Sequence, residues 1–361
     1  MPQRPHFFVW QALQNGFSEV LWIEPTPSRL PGVRDLRSRT QSAREPREAL
    51  DQQNIQVLAP RLWPVEPLPL VSPWINGPAI STVIRKVRLF TSVEPTLLVV
   101  GKPTRLALAL AEQGDNWVTT TYDAMDNFPA FFKGKTRRSV EVIERKLVAC
   151  VDHLVCSSSC LQAGFSRQSR LVANACSQKL AHELSGFPKA NHPEPVLGYV
   201  GTLADWLDWS AVERLAHRFP QALIVMVGPQ KVPAPQGMAD NIHFRPAVGR
   251  GQITSVLRSF DFGIIPFKVN DLTSCVDPIK YYEYRAAGLP VLSTRFGEMA
   301  NKGRADYVWD LEDVIDSGRL PFVSSETDPP GATTWEDRFD SGFFGWLSRG
   351  WHERFSRHDG Q

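Results

Sequence analysis

The sequence predicts an α/β protein built from two doubly wound, parallel-sheet domains. Three observations carry that prediction. At 361 residues the chain exceeds one compact core and suits two domains. Strand-sized apolar runs alternate with segments of helical period, which implies crossover connections and a parallel sheet. In the second half those runs are continuously apolar, as in strands buried on both faces.

In the first half, residues 7–13 read as a helix and 19–24 as a strand. Residues 25–53 are polar and rich in Arg and Pro, and read as a long loop. Short strands are expected at 55–58, 96–100, 118–122 and 153–156, with helices at 104–111 and 140–150. In the second half, strands are expected at 196–200, 222–227, 242–244, 262–266 and 291–293. Helices are expected at 209–219, 252–259 and 278–287. Gly186, Pro188, Pro193 and Pro195 fall in an aperiodic stretch that reads as the interdomain linker. The expected division is therefore 1–188, 189–330 and a C-terminal aromatic helix over 331–361. That helix either crosses back to the first domain or completes the second domain's core.

Composition excludes several classes. Hydrophobic residues are 42% and charged residues 22%, an ordinary globular balance, and the net charge of +2 gives no reason to expect nucleic acid. No secretory signal opens the chain, so a cytoplasmic location is expected, with contact at the inner face of the plasma membrane as an addition. None of the apolar runs approaches the ~20 residues of a membrane span. The five cysteines show no paired zinc-ligand spacing, and no metal or other cofactor is expected.

The stretch from Asp277 to Pro290 bears most directly on chemistry. Asp277 is a good N-cap and Pro278 suits the first helical position; Gly288 and Pro290 stop the helix. The loop before it leaves the carboxyl end of the strand at 262–266, where ligands of open α/β sheets bind. A helix N-terminus there favours phosphate, and Lys280 in its first turn adds a full positive charge. Glu283, three residues on, shares its face and suits the two hydroxyls of a ribose. The alternative is a plain amphipathic helix with a Lys/Glu pair.

Residues Lys280-Tyr281-Tyr282-Glu283-Tyr284-Arg285-Ala286-Ala287-Gly288-Leu289-Pro290-Val291 resemble the nucleotide-sugar motif of GT-B glycosyltransferases, in the retaining branch that builds polysaccharides and glycolipids. Tyr122-Asp123-Ala124-Met125-Asp126, the run from Glu144 to Ser158, Leu197 to Gly201 with Asp205 to Asp208, and Phe260 to Phe267 resemble further pieces of that family, in the same order. The resemblance implies two Rossmann-like domains facing a cleft. It also implies transfer of a sugar from a UDP- or GDP-linked donor to a glycan or lipid-linked acceptor in cell-surface polysaccharide synthesis. Retention, without metal, is implied as well, and no Asp-x-Asp occurs in the chain.

By that resemblance Glu283 binds the nucleotide ribose, and Gly201, Asn270, Thr273, Ser274 and Lys280 line the donor. The family's first glutamate falls on Cys275, and the Arg and Lys usual after Gly201 are replaced by Thr202 to Trp206. Lys280 is then the chief cation on the leaving diphosphate. Asp123 and Asp126 follow a first-domain strand and are candidates to orient or deprotonate the acceptor, or else cap a turn. Asn174 is a weaker candidate for the donor sugar. The chain opens on Met1 to Pro5 directly before a helix, so the family's first strand is expected to be missing or upstream. The Arg-rich stretches 34–47 and 133–138 suit anionic lipid headgroups or plain solvated loops. Two rival readings remain on this architecture: a sugar-nucleotide epimerase, and a non-catalytic nucleotide-sugar binder.

Overall fold

The computed structural model describes residues 3–26, 53–66, 68, 71–185, 192–321 and 331–344. The chain divides into two compact units. One comprises residues 2–172 with 339–361; the other runs from Ala173 to Arg338.

In the first of these units, α1 (Arg4–Gln14) opens with Pro5 in its first turn and buries Phe7, Phe8, Val9 and Ala12. Strands β1 (Val20–Ile23) and β2 (Ile55–Leu58) pair in parallel as a separate two-stranded sheet. The long helix α2 (Ser72–Thr91) follows, stitched at its start to the preceding loop. There the Asn76 amide accepts from the Trp63 N–H and donates to the Trp63 carbonyl, both at 2.9 Å.

Next come β3 (Leu97–Val100), α3 (Arg105–Ala111), β4 (Thr119–Ala124), α4 (Gly134–Cys150), β5 (His153–Cys156), α5 (Ser159–Gly164) and β6 (Arg170–Leu171). The four strands form one parallel sheet in the order β3-β4-β5-β6. Strand β4 is buried throughout and runs two residues past its expected end at 122, so Asp123 lies inside a strand. Helix α4 begins six residues before its expected start at 140.

The second unit begins with α6 (Gln178–Leu184), then β7 (Val196–Val200), α7 (Trp209–Arg218), β8 (Leu223–Val227), β9 (Ile242–Arg245), α8 (Arg250–Arg258), β10 (Phe262–Ile265), α9 (Ile279–Ala286), β11 (Val291–Ser293), β12 (Val308–Asp310) and α10 (Leu311–Ser317). Its six strands are all parallel, in the order β12-β11-β10-β7-β8-β9. That is the doubly wound order of a mononucleotide-binding pair, with the direction of winding reversing between β7 and β10. Strands β7, β8, β10 and β11 are almost wholly buried, as their continuous apolar runs imply.

The units part between Val172 and Ala173, ahead of the proline-rich stretch where the sequence places the join. The reason lies in packing: α6 rests on α8 and α9, so residues before the linker already belong to the second unit. Near the C-terminus, α11 (Trp335–Phe339) begins in the second unit, where the Trp335 N–H donates to the Cys176 carbonyl (3.0 Å). From Phe339 the chain belongs to the first unit. Phe8 meets Phe339, Phe343 and Phe344 there, at centroid distances of 5.4, 4.6 and 5.1 Å. This aromatic cluster gives the return its driving force. The rest of the expected C-terminal helix, like the Arg-rich stretch 34–47, lies outside the described residues. Among the described residues, no helix is long and apolar enough to cross a membrane.

Candidate functional site

The carboxyl ends of β7 and β10 flank the winding reversal, the place where open α/β sheets bind ligands. Backbone, rather than side chain, shapes the floor there. Gly201 leaves β7 at φ +152° and Gly228 leaves β8 at φ +150°, conformations that favour glycine. A Cβ on Gly228 would lie 1.9 Å from the Gly201 carbonyl oxygen, and one on Gly201 would lie 2.3 Å from Lys280 Cε. The two turns therefore nest against each other, and the Lys280 side chain lies directly over Gly201.

Helix α9 supplies the charged groups. Its placement is fixed by its buried face: the Tyr284 ring lies against Gly263 of β10, and the Tyr284 hydroxyl accepts from the Val200 N–H of β7 (3.1 Å). Lys280, one turn before Tyr284, and Glu283 beside it are both half-buried. The Lys280 ammonium sits 5.3 Å from the centroid of the Tyr199 ring and has no hydrogen bond or ion pair among the described residues. Glu283 likewise has no hydrogen-bond partner there. Burial pushes its carboxyl above the ordinary range, and the attraction of Lys280 only partly offsets this. A cation and a carboxylate one helical turn apart, neither hydrogen-bonded among the described residues, form a site able to take a ligand carrying anionic and hydroxyl groups.

The structure revises the role of Asp277. The sequence makes it the N-cap of α9, but Pro278 holds that position and no side chain caps the helix. The buried Asp277 carboxylate instead accepts from the Asn174 N–H (2.7 Å) and the Tyr282 hydroxyl (3.0 Å), while the Asn174 amide donates to the Asp277 carbonyl (2.6 Å). Asn174 and Asp277 thus tie the start of the second unit to the start of α9. Nothing in the sequence pattern links two residues so far apart; only the burial of a carboxylate demands a partner.

The three loop candidates before α9 differ in placement. Thr273 is buried, and its hydroxyl donates to the Lys268 carbonyl and accepts from the Asn270 N–H (3.2 Å). Asn270 is exposed and its side-chain oxygen accepts from the Leu272 and Thr273 N–H groups, an Asx turn. Ser274 is exposed and donates to the Asp271 carbonyl (3.0 Å). Cys275 is buried beside it. These side chains hold the loop's own shape. Lys268, which sequence reasoning passed over, lies on the same loop and donates to the Asp205 carbonyl (2.8 Å).

In the other unit, the two candidate acids have different environments. Asp123 is buried in β4 and takes a bidentate pair from Arg4, with Nε and Nη2 each 2.8 Å from a carboxylate oxygen. A third Arg4 N–H reaches the Val172 carbonyl (2.7 Å). This pairing is what permits a carboxylate inside a buried strand. Asp126, in the turn after β4, has no side-chain hydrogen bond among the described residues. Burial raises its pKa to about 7; Arg4 lowers it and Asp123 raises it further. Of the two, Asp126 has the free carboxylate and the titration range of a general base.

Residues 194–317 match the family described as Glycosyl transferases group 1, so the match takes in all six strands of the second unit's sheet. Over 221 residues the chain is 22% identical to a putative teichuronic acid biosynthesis glycosyltransferase, TuaH, of Bacillus subtilis (strain 168). That match takes in 54% of this chain and 55% of the relative, so the chain spans about half the length of the curated relative it matches. Among solved structures, Anabaena Alr3699/HepE in complex with UDP and glucose aligns with a TM-score of 0.56 at 14% identity, covering 94% of this chain and 100% of that one. A sucrose-phosphate synthase from Thermosynechococcus elongatus aligns with a TM-score of 0.57 at 11% identity, with the same coverage. At such identities the likeness is one of fold: two parallel-sheet α/β units of the GT-B type.

Proposed function

We propose, from the premise that residues 194–317 belong to the group 1 glycosyl transferases, that this chain transfers a sugar from a nucleotide-diphosphate sugar to a glycan or lipid-linked acceptor. The observation that carries the reading is the pair on α9: Lys280 lying over Gly201 at the winding reversal, with Glu283 beside it and no hydrogen bond to either among the described residues. A UDP- or GDP-linked donor suits that pair. Its diphosphate would meet Lys280 and the backbone N–H groups at the start of α9, and its ribose hydroxyls would donate to Glu283. The likeness to a fold solved with UDP and glucose supports a UDP-linked donor. The likeness to TuaH, named for teichuronic acid biosynthesis, supports an acceptor in cell-surface polysaccharide synthesis.

In the reaction the bond between the sugar's anomeric carbon and the diphosphate oxygen breaks, and a bond to the acceptor oxygen forms. Negative charge grows on the departing phosphate, where Lys280 stabilises it more than in the ground state. We assign the acceptor's proton to the departing phosphate, which gives retention of configuration, and give Asp126 the role of orienting the acceptor hydroxyl. Above about pH 7 its carboxylate is ionised and can accept a hydrogen bond from that hydroxyl. Asp123 serves through Arg4 as a fixed anchor beneath it.

The test uses the full chain with UDP- and GDP-sugars and a glycan or lipid-linked acceptor extract, reading nucleotide-diphosphate release and label transfer. Acceptor-dependent release that falls at least about 100-fold in Lys280→Ala is expected, the scale of one lost transition-state donor. Conversion of the donor to an epimer without acceptor, or binding with no transfer to any acceptor, would replace this reading.

A further inference from the structure

We infer that the outward face of α2 docks on an anionic lipid surface. The inference concerns a different part of the molecule from the α9 pair and does not depend on sugar transfer.

The observation that starts it is Trp74, whose side chain is 87% exposed. Indoles are among the largest apolar groups a protein can bury, and one left almost wholly in water marks an interaction surface when it has company. Here it has company. Val71, Ile75, Leu89 and Val93 are also exposed, Leu89 at 68% and Val93 at 80%. Ser72, Asn76, Val83 and Val87 are the residues of this helix that are buried. At 100° per residue Trp74, Ile75 and Leu89 fall on one side of the helix and the four buried residues on the other, with Val71 and Val93 flanking its two ends. Arg85, Lys86 and Arg88 are exposed on the same outward side, which subtends an arc of about 160°. Only small or imino side chains, Pro78, Ser81 and Thr82, lie between the apolar ends and the cations.

Charge decides what covers this face. Residues 71–93 contain three cations and no Asp or Glu. The nearest acid in sequence, Glu94, accepts from the Ser18 hydroxyl. An apolar stripe with an indole at one end, cations along it and no acid of its own is complementary to headgroups bearing phosphate above an acyl layer. A protein surface would need its own row of carboxylates beside an apolar groove. The helix is about 30 Å long, so it offers a line of contact rather than a point. It lies on the surface rather than spanning it, because it is not apolar enough to cross. Arg88 donates to Gln113, which braces the cationic end on the body of the unit.

Flotation of the full chain with phosphatidylcholine vesicles, with and without phosphatidylglycerol, tests this at low and high salt. Binding to the anionic vesicles at low salt is expected, with a blue shift in tryptophan emission. Trp74→Ala with Leu89→Ala should weaken that binding at least about tenfold, from the apolar area lost. Arg85→Glu with Lys86→Glu should also weaken it about tenfold or more, and should abolish the preference for anionic lipid. Unchanged melting of these variants would show that only the surface was altered. Failure of the wild type to bind anionic vesicles, or binding indifferent to both double variants, would overturn the inference. So would concentration-dependent self-association, seen by sizing, that Trp74→Ala abolishes while vesicle binding is absent.

Discussion

Replacing Asp126 with Asn should make the protein more stable at alkaline pH and leave its stability at acid pH almost unchanged. The carboxyl titrates at about 7 in the folded chain and at 3.8 in the absence of its surroundings. Between those values the folded state keeps a proton that the unfolded chain has released. Stability therefore falls as pH rises through that window, and the loss is complete above the folded pKa. The shift of about 3 units corresponds to about 4 kcal/mol at most. Asp126 is only half-buried, and solvent screening reduces this to about 1–3 kcal/mol. An asparagine removes the cost of ionising the site. Thermal unfolding at pH 8 should show the variant melting several degrees above the wild type, at about 2–4 °C per kcal/mol. Below the unfolded value of 3.8 the two curves should nearly coincide. The same titration predicts that transfer by the wild type rises through an apparent pKa near 7, and that the variant loses this limb. An equal melting difference at both pH values would refute the reasoning, because it would show that the carboxyl is not shifted.

Three further outcomes follow from the packing. Gly228→Ala should cost more stability than Gly201→Ala, each on the order of 1–3 kcal/mol: the first Cβ meets backbone, while the second meets the movable end of Lys280. Denaturant unfolding compares the two, and Gly201→Ala should also displace Lys280 and weaken diphosphate binding. Asp277→Ala should destabilise the chain by about 2–4 kcal/mol, because it strands the buried Asn174 N–H and Tyr282 hydroxyl; Asp277→Asn, which keeps an acceptor, should cost less. Phe8→Ala should cost about 3–5 kcal/mol by opening a cavity against Phe339, Phe343 and Phe344, and a thermal melt of the full chain reads this directly.

The second unit is the more legible from sequence, for a physical reason. Strands β7, β8, β10 and β11 are buried on both faces and appear as largely apolar runs, and the turns after β7 and β8 are marked by Gly201 and Gly228. The placement of Lys280 and Glu283 on one face of α9 follows from their spacing alone. The first unit is harder. Helix α2 contains Gly77 and Pro78 in its interior, residues that usually argue against a helix, and its exposed apolar residues blur the helical period. Asp123 reads from sequence as a residue beyond a strand end. It lies within β4 because Arg4, 119 residues away, pairs with it, and such pairing leaves no local signal. Asp277 shows the same limit: its cap-like position is local, while its partner Asn174 is supplied by the fold. The loop side chains Asn270, Thr273 and Ser274 were legible as polar groups near the site. Their hydrogen bonds to the loop's own backbone follow from its turn geometry, which residue types alone do not fix.

The central claim is that Lys280 and Glu283 form a nucleotide-diphosphate site rather than a structural pair. Glu283→Gln separates the two most directly, measured by calorimetric titration with UDP and UDP-glucose alongside melting of the free protein. Burial disfavours the charged form of Glu283 and no hydrogen bond among the described residues supports it, so the amide should leave the free protein as stable as before or more so. The same substitution should weaken nucleotide binding by about 1.5–3 kcal/mol, roughly 10- to 150-fold, as a charged acceptor for ribose hydroxyls is lost. Unchanged affinity together with a lowered melting temperature would contradict the account, because it would make Glu283 a structural residue.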